Sequence, residues 1–166
     1  MGVRYKTKIN KLPRISRTID ALNGKSLEIG AIQGEHSWLA AIHEYGCNIT
    51  VTPKMRAFLH YHGLHLKEST TVIKIPERSF LRKSHDEKGE DVLKQAERAL
   101  GLVLSGNMSI EQYMDMVGRN YVSMIKDYIV ELDSPANHPY TVEQKGSDNP
   151  LVDTGGLVES ISYRVK

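Results

Sequence analysis

The sequence contains one pattern typical of an aspartic protease. Asp153, Thr154 and Gly155 follow the apolar pair Leu151 and Val152. That chemistry needs two such carboxylates sharing a proton, supplied by two lobes or two subunits. The segment after the motif is too short for the remaining parts of that fold. We therefore expect Asp153 or Thr154 to cap a helical turn rather than to catalyse a reaction.

Three closely spaced histidines form a second group of candidate reactive residues. His60, His62 and His65 follow an H-x-H-x-x-H pattern, and imidazoles at such spacing can share a metal ion. The one carboxylate close to them in sequence is Glu68. The sequence therefore favours a polar loop whose histidines face solvent or a neighbouring subunit.

His43 and Glu44 match only the first part of the motif found on zinc-protease helices. The H-E-x-x-H pattern needs a second histidine at the position that Cys47 occupies. We expect His43 near the C-terminal end of a helix, where its cation would interact favourably with the helix dipole. Cys47 is expected to be a small apolar filler. The sequence thus predicts no catalytic residue, no cofactor and no metal.

Composition indicates one ordinary globular domain. Of the 166 residues, 40% are hydrophobic and 25% are charged, and the formal net charge is only +2. That charge alone is too small to indicate nucleic acid or a membrane surface as a partner. No apolar run approaches the roughly 18–20 residues of a membrane-spanning helix. We expect a soluble protein made in a cytoplasm.

Residues 1–24 are predicted to form a basic, extended N-terminal arm. Six cations precede the first acid, and they are Arg4, Lys6, Lys8, Lys11, Arg14 and Arg17. Pro13 and Gly24 interrupt the segment, so we expect only one helical turn, near residues 16–22. Such an arm is ordered by a partner, and its cations could also contact nucleic-acid phosphates.

Residues 25–166 are predicted to form a single α+β domain. Short strands are expected at 25–33, 49–51, 71–75 and 161–165, and a short helix at 37–45. Two long helices follow the capping-box patterns Ser84/Glu87 and Ser109/Gln112. Residues 54–70 and 134–150 are expected to be loops. The predicted fold is a mixed, mainly antiparallel small sheet packed against two long helices, with a long loop and the extended arm.

Three segments together resemble a known family. They are AAIHEYG at 40–46, IPERSFLR at 75–82 and PLVDTGGLVESISYRV at 150–165. In this order they resemble the tail-completion or head–tail joining proteins of long-tailed bacteriophages, related to minor tail protein Z and virion morphogenesis proteins. The resemblance spans about residues 25–166. The basic arm and the histidine-rich stretch at 54–70 depart from the family pattern.

The resemblance implies an α+β protein without catalytic activity that assembles as a ring, commonly hexameric, at the head–tail interface of the virion. Expected partners are copies of itself, the head-completion protein, the tail terminator or the tail tube. Phage DNA would pass through the lumen, and no membrane is involved. Candidate inter-subunit or docking contacts are Arg4, Lys6, Lys8, Arg14, Arg56, Tyr61, Arg78 and Arg82.

Two alternatives stay open at this point. The ring could instead be the tail-terminator or the head-completion (stopper or adaptor) layer of the same connector. A more distant alternative is a nucleic-acid-binding or metal-binding protein, carried by the basic arm or by the three histidines.

Overall fold

The structure is a computed structural model that describes residues 12–32, 34 and 36–166. The candidate contacts Arg4, Lys6 and Lys8 lie outside the described residues. About 59% of the described residues are helical and 12% lie in strands. Because helices and antiparallel strands share one core, the α+β fold predicted from sequence is confirmed.

Helices and strands alternate along the described chain. The helices are α1 (Leu12–Asn23), α2 (His36–Tyr45), α3 (Pro53–Tyr61), α4 (Phe80–Ser105), α5 (Ile110–Glu131), α6 (Pro139–Lys145) and α7 (Gly156–Ser160). The strands are β1 (Leu27–Ala31), β2 (Cys47–Thr50), β3 (Val72–Ile75) and β4 (Ile161–Val165).

The antiparallel strands form two separate two-stranded sheets rather than one. In the first, β1 pairs with β4, from Leu27 opposite Val165 to Ala31 opposite Ile161. In the second, β2 pairs with β3 along four residue pairs. The sequence predicted the strands and their antiparallel character, but strand periodicity does not say which strands pair.

The core lies between the long helices and the β1–β4 sheet. Phe80 and Ile129 are fully buried, and Ile161 of β4 is 2% exposed. Burying side chains of this size stabilises the fold by about 1.5–3 kcal/mol each. Gly118 lets α5 approach the sheet, because a Cβ there would overlap the ring of Tyr163.

The turn between α4 and α5 follows its sequence signals. Gly106 ends α4 with φ 80°, a conformation that favours glycine. The predicted capping box at the start of α5 is confirmed: the Gln112 amide donates to Ser109 Oγ (3.1 Å), and the Ser109 amide donates to Gln112 Oε1 (2.9 Å).

The first of the two long helices begins earlier than predicted. It starts at Phe80, so Ser84 lies inside α4 and its hydroxyl donates to the carbonyl of Leu81 (3.0 Å). The predicted capping box of Ser84 with Glu87 is therefore wrong. A side chain from a distant segment caps this helix instead, which no local pattern could indicate.

Helices also form in three segments where little or no helix was expected. The helical turn predicted near residues 16–22 of the N-terminal arm is part of a longer helix, α1, which has twelve residues and packs against α4, so the extended form is wrong for the rest of 12–23. The predicted loop at 54–70 contains α3, which begins with Thr52 as cap and Pro53 as its first residue. The predicted loop at 134–150 contains α6, likewise opened by a proline, Pro139.

Residues 47–75 form a unit that we call the projecting hairpin. It consists of β2, α3, a return loop and β3. Its two strands pair with each other, and α3 makes no extensive contact with any other described helix or strand. The unit is therefore connected to the body mainly through its two ends.

Candidate functional site

Three segments that are distant in sequence, at 40–46, 75–82 and 150–165, are linked by a cluster of polar residues, here called the junction. It consists of Glu44, Arg78, Arg82, Asn137 and Asn149, whose contacts are described in turn. These residues come from α2, from the start of α4 and from the loops after α5 and α6.

Glu44 supplies the cap of α4. Its side chain is 3% exposed, and its carboxylate accepts hydrogen bonds from the amides of Leu81 (2.8 Å) and Arg82 (3.2 Å). Ser79, at the N-cap position, makes no side-chain capping bond. The first amides of a helix lack partners within the helix and favour negative charge. A carboxylate from α2 therefore anchors the N-terminus of α4.

Arg82 completes the contact with α2. Its Nε donates to Glu44 Oε1 (2.9 Å), and one terminal nitrogen donates to the Glu44 carbonyl (2.8 Å) and to Glu77 Oε1 (2.9 Å). Its guanidinium lies 4.8 Å from the centre of the Tyr45 ring. The hydrogen bond with Glu44 is the largest cause that raises the pKa of Arg82. The predicted docking contact Arg82 is half exposed and already bonded within its own chain.

Arg78 is the most buried cation of the junction, with 3% exposure. Its amide donates to the His43 carbonyl (2.7 Å), and its Nε donates to the Pro135 carbonyl (2.8 Å). A terminal nitrogen donates to the Ala136 carbonyl (3.2 Å) and to Asn137 Oδ1 (3.0 Å). In the isolated chain Arg78 serves an internal contact, and its role as a docking contact stays a prediction.

Two asparagines extend the network to the C-terminal segment. The Asn137 side-chain amide donates to the carbonyls of Asn149 and Pro150 (3.5 Å each). The Asn149 amide donates to the Val130 carbonyl at the end of α5 (2.8 Å). Its Oδ1 accepts from the amides of residues 151 and 152 (2.9 and 2.8 Å). The segment at 150–165 is thereby linked through Asn137 to Arg78 and the segment at 75–82.

His43 lies beside this network as a neutral residue. Burial, helped by the charges of Arg78 and Lys145, lowers its pKa from 6.5 to about 4. Its Nδ1 is buried and has no hydrogen-bond partner within the described part of the chain. The expected position of His43 near the C-terminal end of a helix is confirmed. The expected cation is disfavoured, because burial lowers its pKa.

Asp153 does not cap the helix that follows it. Asp153 and Thr154 are exposed, and the residue at the N-cap of α7 is Gly155, with φ 88° and no side-chain capping bond. The expected cap by Asp153 or Thr154 is therefore wrong. Backbone freedom of the glycine, rather than a polar side chain, allows the chain to enter α7.

The three histidines of the projecting hairpin are not gathered around one point. His60 Nδ1 and His65 Nδ1 lie 2.6 Å apart, within hydrogen-bond distance. His62 instead packs its ring 4.3 Å from that of Phe58. Across residues 12–32, 34 and 36–166, no three histidine, cysteine or acidic side chains are placed to hold a metal ion.

Two of the predicted docking residues lie in this hairpin and have different roles. Arg56 donates to the carbonyls of Leu66 (3.1 Å), Lys67 (2.9 Å) and Thr70 (2.7 Å), which holds the return loop against α3. Tyr61, at the end of α3, is 85% exposed. The structure therefore brings Arg56 into an internal contact and leaves Tyr61 on the surface.

Arg14, the predicted docking residue of the arm that the structure describes, packs its guanidinium against Gly106. A cation next to the C-terminal end of α4 is favourable for the helix dipole. Cys47 lies half-buried at the start of β2. Neither residue belongs to the junction.

No helix in the described part of the chain has the length and apolar character needed to cross a membrane. No protein family, curated protein or solved structure matches the chain. What can be said of its function therefore depends on the residues and their geometry.

Sequence patterns did not predict that the junction residues would lie close together. Glu44 belongs both to an incomplete zinc motif and to the segment at 40–46, and Asn137 and Asn149 lie in a stretch predicted to be a loop. The available signal was that Glu44, Arg78 and Arg82 stand inside the segments on which the predicted family resemblance rests.

Proposed function

We propose that this chain is a structural virion protein that forms a ring at the head–tail interface of a tailed bacteriophage, where it completes the tail and joins it to the head. The observation that carries the proposal is the junction. Glu44 binds the backbone at residues 81 and 82, and Arg78 is linked through Asn137 to residues 149 and 150, so segments distant in sequence are held together by polar groups. The segments on which the predicted resemblance to neck proteins rests are thus close together in the fold, and this supports the proposal.

The chemistry of the junction also suits a structural role. Its carboxylate, guanidinium and amide groups bond to one another and to the backbone, and buried groups so paired stabilise a fold. Asp153, the residue that could suggest a hydrolase, lies exposed in a turn. A protein whose polar groups hold its own segments together needs neither cofactor nor metal for this function.

The partners follow from this function. Copies of the chain would form the ring, commonly a hexamer, and the faces of the ring would meet the head-completion protein on one side and the tail terminator or tail tube on the other. DNA would pass through the lumen. The parts proposed for these contacts are the N-terminal arm and the projecting hairpin, whose described helices α1 and α3 contain no buried residue.

Two measurements test the proposal. Negative-stain electron microscopy with light scattering should show purified protein as a closed ring. Immunogold labelling of virions should place the protein at the neck, and deletion of its gene should give unjoined heads and tails. A protein that is absent from virions and dispensable for their assembly would overturn the proposal. Overlong tails in the deletion strain would assign the ring to the tail-terminator layer, and heads that lose DNA would assign it to the head-completion layer.

A further inference from the structure

The projecting hairpin has an apolar tip that its own chain does not cover. Phe58 is 59% exposed and Tyr61 is 85% exposed, and α3 has no buried residue. Large aromatic side chains are the residues that most often anchor protein interfaces. An exposed pair on a unit with few contacts to the body is therefore a candidate docking surface.

The same hairpin is basic. Residues 47–75 contain four cations against one acid: Lys54, Arg56, Lys67 and Lys74 against Glu68. Lys54 and Lys67 are exposed and lie at the start of α3 and in the return loop. A partner for this surface should combine an apolar floor with negative charge.

The body of the molecule has a groove of that character between α4 and α5. Two adjoining depressions, about 530 and 340 Å³ in volume, share Lys88 and Glu131. Their acids are Glu87, Asp91, Asp127, Glu131 and Asp133, against the cations Lys83 and Lys88. Lys88 is already paired with Glu131. Val92, Met124 and Leu132 supply apolar surface to the floor.

The hairpin cannot fill this groove within one chain in the described conformation. Helix α3 makes no extensive contact with α4 or α5, although all three helices are described. The groove and the hairpin tip are different surfaces of one molecule, so a contact between them in two copies is head-to-tail. Repeated head-to-tail contacts generate a ring when the rotation closes.

We infer that the tip of the projecting hairpin, Phe58 and Tyr61, seats in the α4–α5 groove of the next copy, with Lys54 and Lys67 opposite Asp91 and Asp127. This inference depends on the proposed self-assembly and names the surfaces that produce it. The aromatic pair supplies the apolar contact, and the charges fix which side of the groove each cation faces.

Charge reversal tests the pairing. The variants Lys54→Glu/Lys67→Glu and Asp91→Lys/Asp127→Lys each place like charges across the contact and should weaken assembly at least about tenfold. A chain carrying all four substitutions again has opposite charges across the contact, so assembly should return. Sedimentation velocity over a concentration series measures the assembly, and far-ultraviolet circular dichroism verifies the fold.

A matched control changes the same amount of charge elsewhere. Glu97→Lys/Glu143→Lys reverses two exposed acids that do not line the groove, and assembly should match that of the natural chain. The variant Phe58→Ser/Tyr61→Ser, which removes the aromatic contact without reversing charge, should also abolish assembly.

The outcomes separate this inference from the proposed function. If the natural chain forms rings and the three interface variants form them equally well, or the fourfold variant does not recover, the hairpin does not dock in the groove, while the ring function stands. If the natural chain stays monomeric and is absent from virions, both ideas fail. If the natural chain instead binds DNA in a salt-dependent way that Lys54→Glu/Lys67→Glu abolishes without affecting assembly, the hairpin is a nucleic-acid element and the inference is wrong.

Discussion

The junction and the projecting hairpin adjoin along the chain, yet they use polar residues in opposite ways. In the junction, Glu44 and Arg78 are almost completely buried and bonded to their own chain. In the hairpin, Tyr61 and Lys54 lie on the surface. The first pattern stabilises one conformation of one chain, and the second leaves groups available to a partner. Substitutions in the junction should therefore affect folding, and substitutions in the hairpin should affect assembly.

The largest effect is expected at Glu44. Glu44→Gln removes the charge that accepts from the α4 amides and from Arg82, so the free energy of unfolding should fall by about 2–4 kcal/mol. Urea denaturation measures this. Glu77→Gln, which removes the exposed partner of Arg82, is the matched control and should cost about 0–1 kcal/mol. Equal losses in the two variants would contradict a special role for the buried carboxylate.

Two glycines with positive φ, one at the base of the hairpin and one in its return loop, allow a second comparison of how tightly the chain is packed. Gly46 has φ +70° and a Cβ there would lie 2.9 Å from Glu77 N and Ile75 O, whereas Gly63 has φ +89° and open space around it. Gly63→Ala should cost about 1 kcal/mol for the left-handed backbone alone. Gly46→Ala should cost about 1–3 kcal/mol more, because its neighbours are backbone atoms that cannot give way. Thermal unfolding of the two variants measures the difference, and its absence would show that the base of the hairpin is loosely packed.

A smaller effect should appear as a pH dependence carried by His43. Its pKa is about 4 in the folded chain and near 6.5 when unfolded, so between these values the unfolded chain binds the extra proton. Stability should therefore be complete above pH 6.5 and fall as the pH drops towards 4. Because His43 is only partly buried, we expect a loss of about 1–2 kcal/mol. His43→Gln should remove this part of the pH dependence, whereas His62→Gln in the hairpin should leave it unchanged.

The smallest effect on folding is expected at the hairpin tip. Tyr61→Ala removes a side chain that is 85% exposed, so the free energy of unfolding should change by less than about 0.5 kcal/mol. Chemical denaturation well below the assembly concentration measures this. A loss as large as that of Glu44→Gln would mean that the tip belongs to the core, which would remove the contrast between the two regions.

The parts of the fold that were predictable are those encoded over short distances. The periodicity of α5 and its Ser109–Gln112 cap are local signals, and the strands at 27–31 and 161–165 are also marked locally. Helix α3 was also encoded locally, by Thr52 as cap before Pro53, although the stretch at 54–70 was predicted to be a loop. The junction, in contrast, is not encoded over short distances. The acceptor for the α4 amides is Glu44 in another helix, and no spacing rule relates Glu44 to Leu81.

Because Glu44 caps α4, the base of the hairpin is mechanically coupled to the first turn of that helix. The hairpin begins soon after Glu44 and ends shortly before Arg78. Both of its ends therefore lie near the Glu44 carboxylate. A tilt of the hairpin would pull on the first turn of α4. The rate at which the Leu81 and Arg82 amide protons exchange with solvent would then report, from inside the body, whether the distant tip is engaged.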